Sequence, residues 1–129
     1  MSAPTASPPA RRSVLLVDDE RALLEALQLG LAREFDVELA DTAEEAELML
    51  AAKAFDVVVC DHLLPGEEGL QFLVRASERF PRTRRILLTG YFNPELLSRS
   101  VAVAGLSACL IKPAKAEQLA EAIRAALTA

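Results

Sequence analysis

Cysteine and histidine are scarce in this chain of 129 residues, which has two of the first and one of the second. A disulfide framework, or a zinc site built from thiolates and imidazoles, is therefore not expected. Cys60 and Cys109 each lie inside an apolar, strand-like run, where a thiol behaves as a small hydrophobe. A chain that leans on no bridge suits a reducing cytoplasm. No apolar stretch approaches the roughly 18 residues of a membrane span, and no secretory-type apolar core follows Met1. Positive charge is short too: 14 Lys and Arg stand against 19 Asp and Glu, a net charge of −5. The cations read as scattered along the chain, so a basic face for direct nucleic-acid binding is not expected. No internal repeat is visible.

What is present is a globular composition. Hydrophobic residues make up 52% and charged residues 26%, which excludes general disorder. A chain of this length forms one domain that buries about 70% of its unfolded surface. Met1 to Arg12, with three prolines, two serines and three alanines, reads as a flexible tail, so the domain is expected over residues 13–129. Ser13 to Val17 is an apolar run ending in Asp18-Asp19-Glu20, with Asp19 or Glu20 in the first turn of a helix. That helix carries Leu23, Leu24, Leu27 and Leu31, is weakened at Gly30, and ends near Arg33. Phe35 to Leu39 alternates as a short strand. Asp41 or Thr42 opens the next helix, whose inward stripe is read as Ala46, Leu48, Met49 and Ala52.

Val57-Val58-Val59-Cys60-Asp61 reads as a strand buried on both faces. A helix with Leu70, Phe72, Leu73 and Ala76 follows Pro65-Gly66 and stops at Phe80-Pro81. Arg85 to Thr89 is a fourth strand, and Asn93-Pro94 opens a helix running to Gly105. Ala108 to Ile111 is a fifth strand, and Ala114 to Leu127 a closing helix with Leu119, Ile123 and Leu127 on one face. Five strands alternating with five helices predict an α/β doubly wound (βα)5 parallel sheet with helices on both faces.

In such a sheet the strand C-termini meet at one edge, where ligands bind. That edge is predicted to gather Asp18 and Asp19, Asp61, Thr89 and Lys112. Three neighbouring carboxylates repel one another, and a hard cation such as Mg²⁺ or Mn²⁺ relieves them. A carboxylate beside such a cation, a lysine and a hydroxyl is arranged to receive a phosphoryl group. Asp61 is the expected nucleophile.

These motifs resemble the receiver domain of two-component response regulators. The matching pieces are Val17-Asp18-Asp19-Glu20, Asp61 followed by Leu64-Pro65-Gly66 and Gly69-Leu70, Leu88-Thr89-Gly90, and Lys112-Pro113. The resemblance spans Ser13 to the C-terminus and implies a flavodoxin-like strand order 2-1-3-4-5. It implies that Asp61 is the phosphoacceptor, that Asp18 and Asp19 hold Mg²⁺ with Asp61, and that Leu63 adds a backbone carbonyl. Thr89 would be the switch hydroxyl, Gly90 part of the phosphate-binding loop, Lys112 the phosphate-pairing lysine, and Pro113 cis. The implied partners are a histidine kinase or phosphotransfer protein and a downstream protein or effector domain, with neither nucleic acid nor membrane contacted directly. A homodimer through the fourth helix, fifth strand and fifth helix is a family habit. Such a domain is a switch rather than an enzyme, catalysing only its own phosphorylation and dephosphorylation.

One departure stands out. Family members usually carry an aromatic three residues before the lysine, and here that position is Cys109. Tyr91 and Phe92 are the candidates to replace it. Read singly, Asp18 or Asp61 is a cap or turn residue, Thr89-Gly90 a turn, and Lys112 an exposed strand-end lysine. Single readings do not explain the set. His62 points away from the side of Asp61 by strand alternation and reads as structural, and Glu67 and Glu68 read as solvated residues opening a helix. Two rivals remain: a receiver-like scaffold that binds partners without phosphorylation, encouraged by Cys109, and a haloacid-dehalogenase-type phosphohydrolase. The second lacks an Asp-x-Asp pair on the first strand and room for a cap. Leu63 and Tyr91, two residues after Asp61 and Thr89, are large and hinder water. The acyl phosphate is therefore expected to last on the order of hours; a half-life of about a minute, followed by phosphate release, would refute this.

Overall fold

The computed structural model describes residues 11–90 and 93–128. The apolar runs form one parallel sheet of five strands, labelled here β1 (Ser13–Val17), β2 (Asp36–Ala40), β3 (Val57–Asp61), β4 (Arg84–Thr89) and β5 (Ala108–Ile111). Between and after them come α1 (Arg21–Leu31), α2 (Ala43–Ala52), α3 (Gly69–Arg79), α4 (Pro94–Ala104) and α5 (Ala116–Thr128). In these labels the sheet runs β2-β1-β3-β4-β5. Val14 lies opposite Val37 and Val57, and Leu87 lies between Cys60 and Cys109.

Alternation along the strands divides the core in two. Leu15, Val17, Val58, Cys60 and Leu87 face Ala46, Leu50, Phe72 and Leu73 of α2 and α3. Val14, Leu16, Val57, Val59, Ile86 and Leu88 face Leu24, Leu27, Leu119 and Ile123 of α1 and α5. Every residue of β3 is buried, which is why the run lacks the polar alternation of a half-wet strand. The doubly wound fold expected from the βα alternation is the fold observed.

Several local expectations need correction. No acid lies in the first turn of α1: Glu20 is the N-cap residue and Asp19 precedes it. At α2 the cap is Thr42, whose Oγ1 accepts from the Glu45 N–H at 3.1 Å, while a Glu45 carboxylate oxygen accepts from the Asp41 N–H at 2.7 Å. The buried stripe of α2 is Ala43, Ala46 and Leu50, and Leu48 is 68% exposed. Leu48 lies two residues from both Ala46 and Leu50, about 200° around the helix, so it cannot share their face. Within 79–85 the arginines Arg79, Arg82, Arg84 and Arg85 are gathered rather than scattered, and the first three are exposed. Arg85 instead turns inward and donates to the carbonyls of Ala104 (2.9 Å) and Gly105 (3.2 Å), closing the C-terminal end of α4.

Met1 to Ala10 of the expected tail lie outside the described residues. Arg11 and Arg12 are fastened to the body: Arg11 donates to the Ala32 carbonyl, and the Arg12 carbonyl accepts from the Asp36 N–H at 2.9 Å. No described helix is long and apolar enough to cross a membrane.

Gly30 costs α1 some helix propensity, and its packing explains why it is there. A Cβ at this position would stand 2.5 Å from the Ala116 Cβ, so α1 and α5 approach more closely than a methyl group permits. Gly30→Ala gains about 1 kcal/mol of helix propensity but overpacks this contact, which costs roughly 1–3 kcal/mol. The expected outcome is a net loss, seen as a lower urea midpoint with an unchanged m-value.

Candidate functional site

Three strand ends place buried polar groups at the upper edge of the sheet. Asp18 follows β1 and is 2% exposed, Asp61 ends β3 at 8%, and Thr89 ends β4 at 3%. Acids this buried need partners, and Lys112, just beyond β5, supplies one. Its ammonium donates to Asp61 Oδ1 at 2.8 Å and Asp18 Oδ2 at 3.1 Å, with Glu20 Oε1 at 3.7 Å. Burial alone would lower the Lys112 pKa, but the hydrogen bonds to Asp61 and Asp18 outweigh it and raise the pKa above the ordinary lysine value.

Backbone bonds orient the same groups. Asp18 Oδ1 accepts from the Glu20 N–H at 3.0 Å, and Asp61 Oδ2 accepts from the Leu63 N–H at 3.4 Å. The Lys112 N–H donates to the Thr89 carbonyl at 2.8 Å, and the Lys112–Pro113 peptide is cis. Asp19 is exposed, yet one carboxylate oxygen each from Asp18, Asp19 and Asp61 lie within 4.8 Å of one another. Two oxygens on one Mg²⁺ are at most about 4.2 Å apart, so small side-chain rotations close this set around such an ion. Three hard oxygen donors without an imidazole or thiolate fit Mg²⁺ or Mn²⁺ chemically.

The segment after Asp61 folds back on it. Leu63–Leu64 pairs antiparallel with Glu67–Glu68 as a two-stranded ribbon, turned by Pro65 and by Gly66 at φ 84°. The Gly69 N–H then donates to the His62 carbonyl at 2.7 Å. A Cβ on Gly69 would lie 1.8 Å from the Asp61 carbonyl oxygen, so only glycine can begin α3 here. His62 is half-buried, and its main chain also bonds to Leu88, its N–H donating at 2.7 Å.

Both cysteines are free, Cys60 buried and Cys109 half-buried. Burial, with the charges of Asp61, Asp18 and Glu67 behind it, pushes the Cys60 thiol well up; burial also raises Cys109. Leu87 lies between them in the sheet register, so the two thiols cannot bridge. Tyr91 and Phe92, the candidates to replace the missing aromatic, lie outside the described residues. Gly90 is exposed, with no atom within 4 Å of where a Cβ would stand.

The structure thus brings Asp18, Asp19, Asp61 and Lys112 together and places Thr89 on the same edge. It corrects one reading. Glu67 is not a solvated residue opening a helix, because Arg75 forks onto its carboxylate at 2.8 and 2.6 Å. The fork holds the Glu67 carboxyl below the usual glutamate range. Arg75 also donates from Nε to Glu47 at 2.8 Å. Sequence reasoning missed Arg75, Glu47 and the approach of Glu20 to Lys112. The partners of Arg75 stand 8 and 28 residues away, and no local spacing marks such a pair.

A model of the response regulator receiver domain matches residues 14–124. The chain belongs to that family. Receiver domains are the input modules of response regulators in two-component systems. This receiver domain is 35% identical over 117 residues to the hydrogenase transcriptional regulatory protein HoxA of Cupriavidus necator, covering 91% of this chain and 24% of that protein. It is 31% identical over 119 residues to the response regulator protein PilR of Pseudomonas aeruginosa, covering 92% and 26%. The chain therefore spans about a quarter of the length of these curated relatives. Among solved structures, it resembles a receiver domain of an HD domain-containing protein from Pseudomonas fluorescens Pf-5, with a TM-score of 0.84 and 32% identity over 92% of this chain and 95% of that one. A CheY-like receiver domain from Methanospirillum hungatei gives a TM-score of 0.85 and 31% identity, with the same coverage.

The two glycines in the loop after Asp61 differ in what they tolerate. Gly66→Ala meets open space and costs about 1–2 kcal/mol for its positive φ. Gly69→Ala drives a methyl group into backbone and should cost at least about 3 kcal/mol. Urea unfolding of the two variants measures the difference; equal losses would disprove it.

Proposed function

We propose that this receiver domain is a phosphorylation-dependent switch in which Asp61 accepts a phosphoryl group from a histidine kinase or phosphotransfer protein. The observation that carries the reading is the Lys112 ammonium set between Asp61 and Asp18 at 2.8 and 3.1 Å, beside Asp19. An Asp61 carboxylate oxygen attacks the phosphorus of a phosphohistidine; the new O–P bond forms as the P–N bond breaks, and the electron pair leaves on the imidazole nitrogen. Lys112 is already within bonding distance of the reacting carboxylate, so its charge can follow the phosphoryl oxygens without a long displacement. Thr89 supplies a hydroxyl at the neighbouring strand end. Asp18, Asp19 and Asp61, with the Leu63 carbonyl, would hold Mg²⁺ or Mn²⁺, which when bound offsets charge on the transferring group.

The domain turns over no external substrate and catalyses only its own phosphorylation and hydrolysis. Its output passes through a downstream protein partner or effector domain in the cytoplasm, consistent with relatives about four times longer than the matched segment. A homodimer through α4, β5 and α5 is favoured by exposed apolar side chains on α4, where Val101 and Val103 lie on opposite faces and one of them would serve, and on β5 at Ile111. The rival reading, a scaffold that works without phosphorylation, is favoured by Cys109 standing where an aromatic normally reports the phosphorylated state.

Incubation with Mg²⁺ and a small phosphodonor such as acetyl phosphate should add one phosphoryl group by mass spectrometry. Asp61→Ala should abolish the gain, and Lys112→Ala should slow it by roughly 10²-fold. Labelling that survives Asp61→Ala, or none in the wild type with partner binding intact, would sink the switch.

A further inference from the structure

The Glu47–Arg75–Glu67 cluster takes no part in phosphoryl transfer as derived above. It nevertheless joins α2, α3 and the ribbon that follows the phosphoacceptor. The ribbon has only two residues on each side, far fewer than a two-stranded piece needs to persist on its own. Its first side is anchored, since Leu64 is buried in the core beneath α2 and α3 and the Leu63 N–H bonds to Asp61. On its second side Glu68 is exposed; this half is held at its end by the Gly69 N–H on the His62 carbonyl at 2.7 Å, and by one side chain, that of Glu67. Arg75 grips that carboxylate with both terminal nitrogens, a planar fork that fixes orientation as well as distance. Its Nε spends the remaining direction on Glu47 of α2. Without the guanidinium, Glu47 and Glu67 would be left as neighbouring like charges, with no side-chain tie between the ribbon and α3.

We propose that Arg75 is a positioning residue for the phosphoacceptor loop, holding the Leu63–Glu68 ribbon closed so that the Leu63 backbone stays beside the Asp61 carboxylate before any cation arrives. The link to cation binding rests on the reading of Asp18, Asp19 and Asp61 as the cation's holders. The Arg75 side chain is 42% exposed, and ion pairs so exposed add little to global stability. Its removal therefore acts locally. A cation that must also order the ribbon binds more weakly, while the chemistry, once the cation is bound, proceeds as before.

The test uses Arg75→Gln, Arg75→Lys, Glu67→Gln and the Arg75→Gln/Glu67→Gln double variant. In the metal-free protein, Arg75→Gln should speed amide hydrogen exchange at Leu63 and Glu68 and leave the α3 amides unchanged. Mn²⁺ titration, followed by paramagnetic broadening, should show half-saturation raised by roughly tenfold, as for outer partners of metal ligands. Phosphorylation by acetyl phosphate at saturating Mg²⁺ should stay within about twofold of wild type. The double variant should be no worse than either single, because both remove one contact, and Arg75→Lys should fall between. Unchanged exchange at Leu63 and Glu68, unchanged Mn²⁺ affinity, or additive losses in the double variant would overturn the proposal. If the wild type takes up no Mn²⁺ at all, the cation reading fails, and the exchange rates alone decide the role of Arg75.

Discussion

Two acids buried at one sheet edge, sharing a single ammonium, set the terms for the upper half of this molecule. Asp18 and Asp61 end strands that are direct neighbours, so their charges are forced together by the hydrogen-bond ladder itself. The nearest strand end on the other side of β3 belongs to β4, which offers a hydroxyl. The compensating charge has to come from beyond β5, across about 9.6 Å of sheet. A long side chain is required, and Lys112 provides it, with its own N–H anchored on the Thr89 carbonyl. The ladder, the two acids and the lysine are in this sense one unit: none of the three is comfortable without the others.

The parts of this arrangement that follow from strand termini were legible in the amino-acid order. Asp18, Asp61, Thr89 and Lys112 each close an apolar run, and the parallel architecture sends all such ends to one edge. The errors fall where the pattern carries little contrast or the contact is non-local. Apolar residues occupy positions 43, 46 and 48–52 of α2, so two different faces satisfy a helical period, and only packing against the sheet selects Ala43, Ala46 and Leu50. Gly30 reads as a flaw in α1 until α5 is placed against it. Glu67 reads as solvated until Arg75, nearly two turns into α3, is placed against it.

Cys109 shows the opposite case, a residue whose oddness is visible in the sequence and whose setting only the structure supplies. It sits half-buried on the outermost strand, in line with Leu87 and Cys60 and facing the layer of α2 and α3. A thiol fills less of that position than a ring would, and burial keeps it protonated and apolar in character. No other residue of β5 is aromatic, so a ring has no substitute within this strand.

Arg85 bears on how α4 can move. Its guanidinium fastens the carbonyls at the end of that helix, those of Ala104 and Gly105, to the start of β4, at the end of the sheet remote from the acids. The opposite end of α4 begins just past Thr89. A helix of 11 residues is about 16 Å long. Held at one end, it resists sliding along the sheet more than it resists swinging, like the hand of a clock, under a push near Thr89. A 2 Å displacement at the free end is then a swing of about 7° over that length, with the largest travel next to the acids and almost none at Gly105.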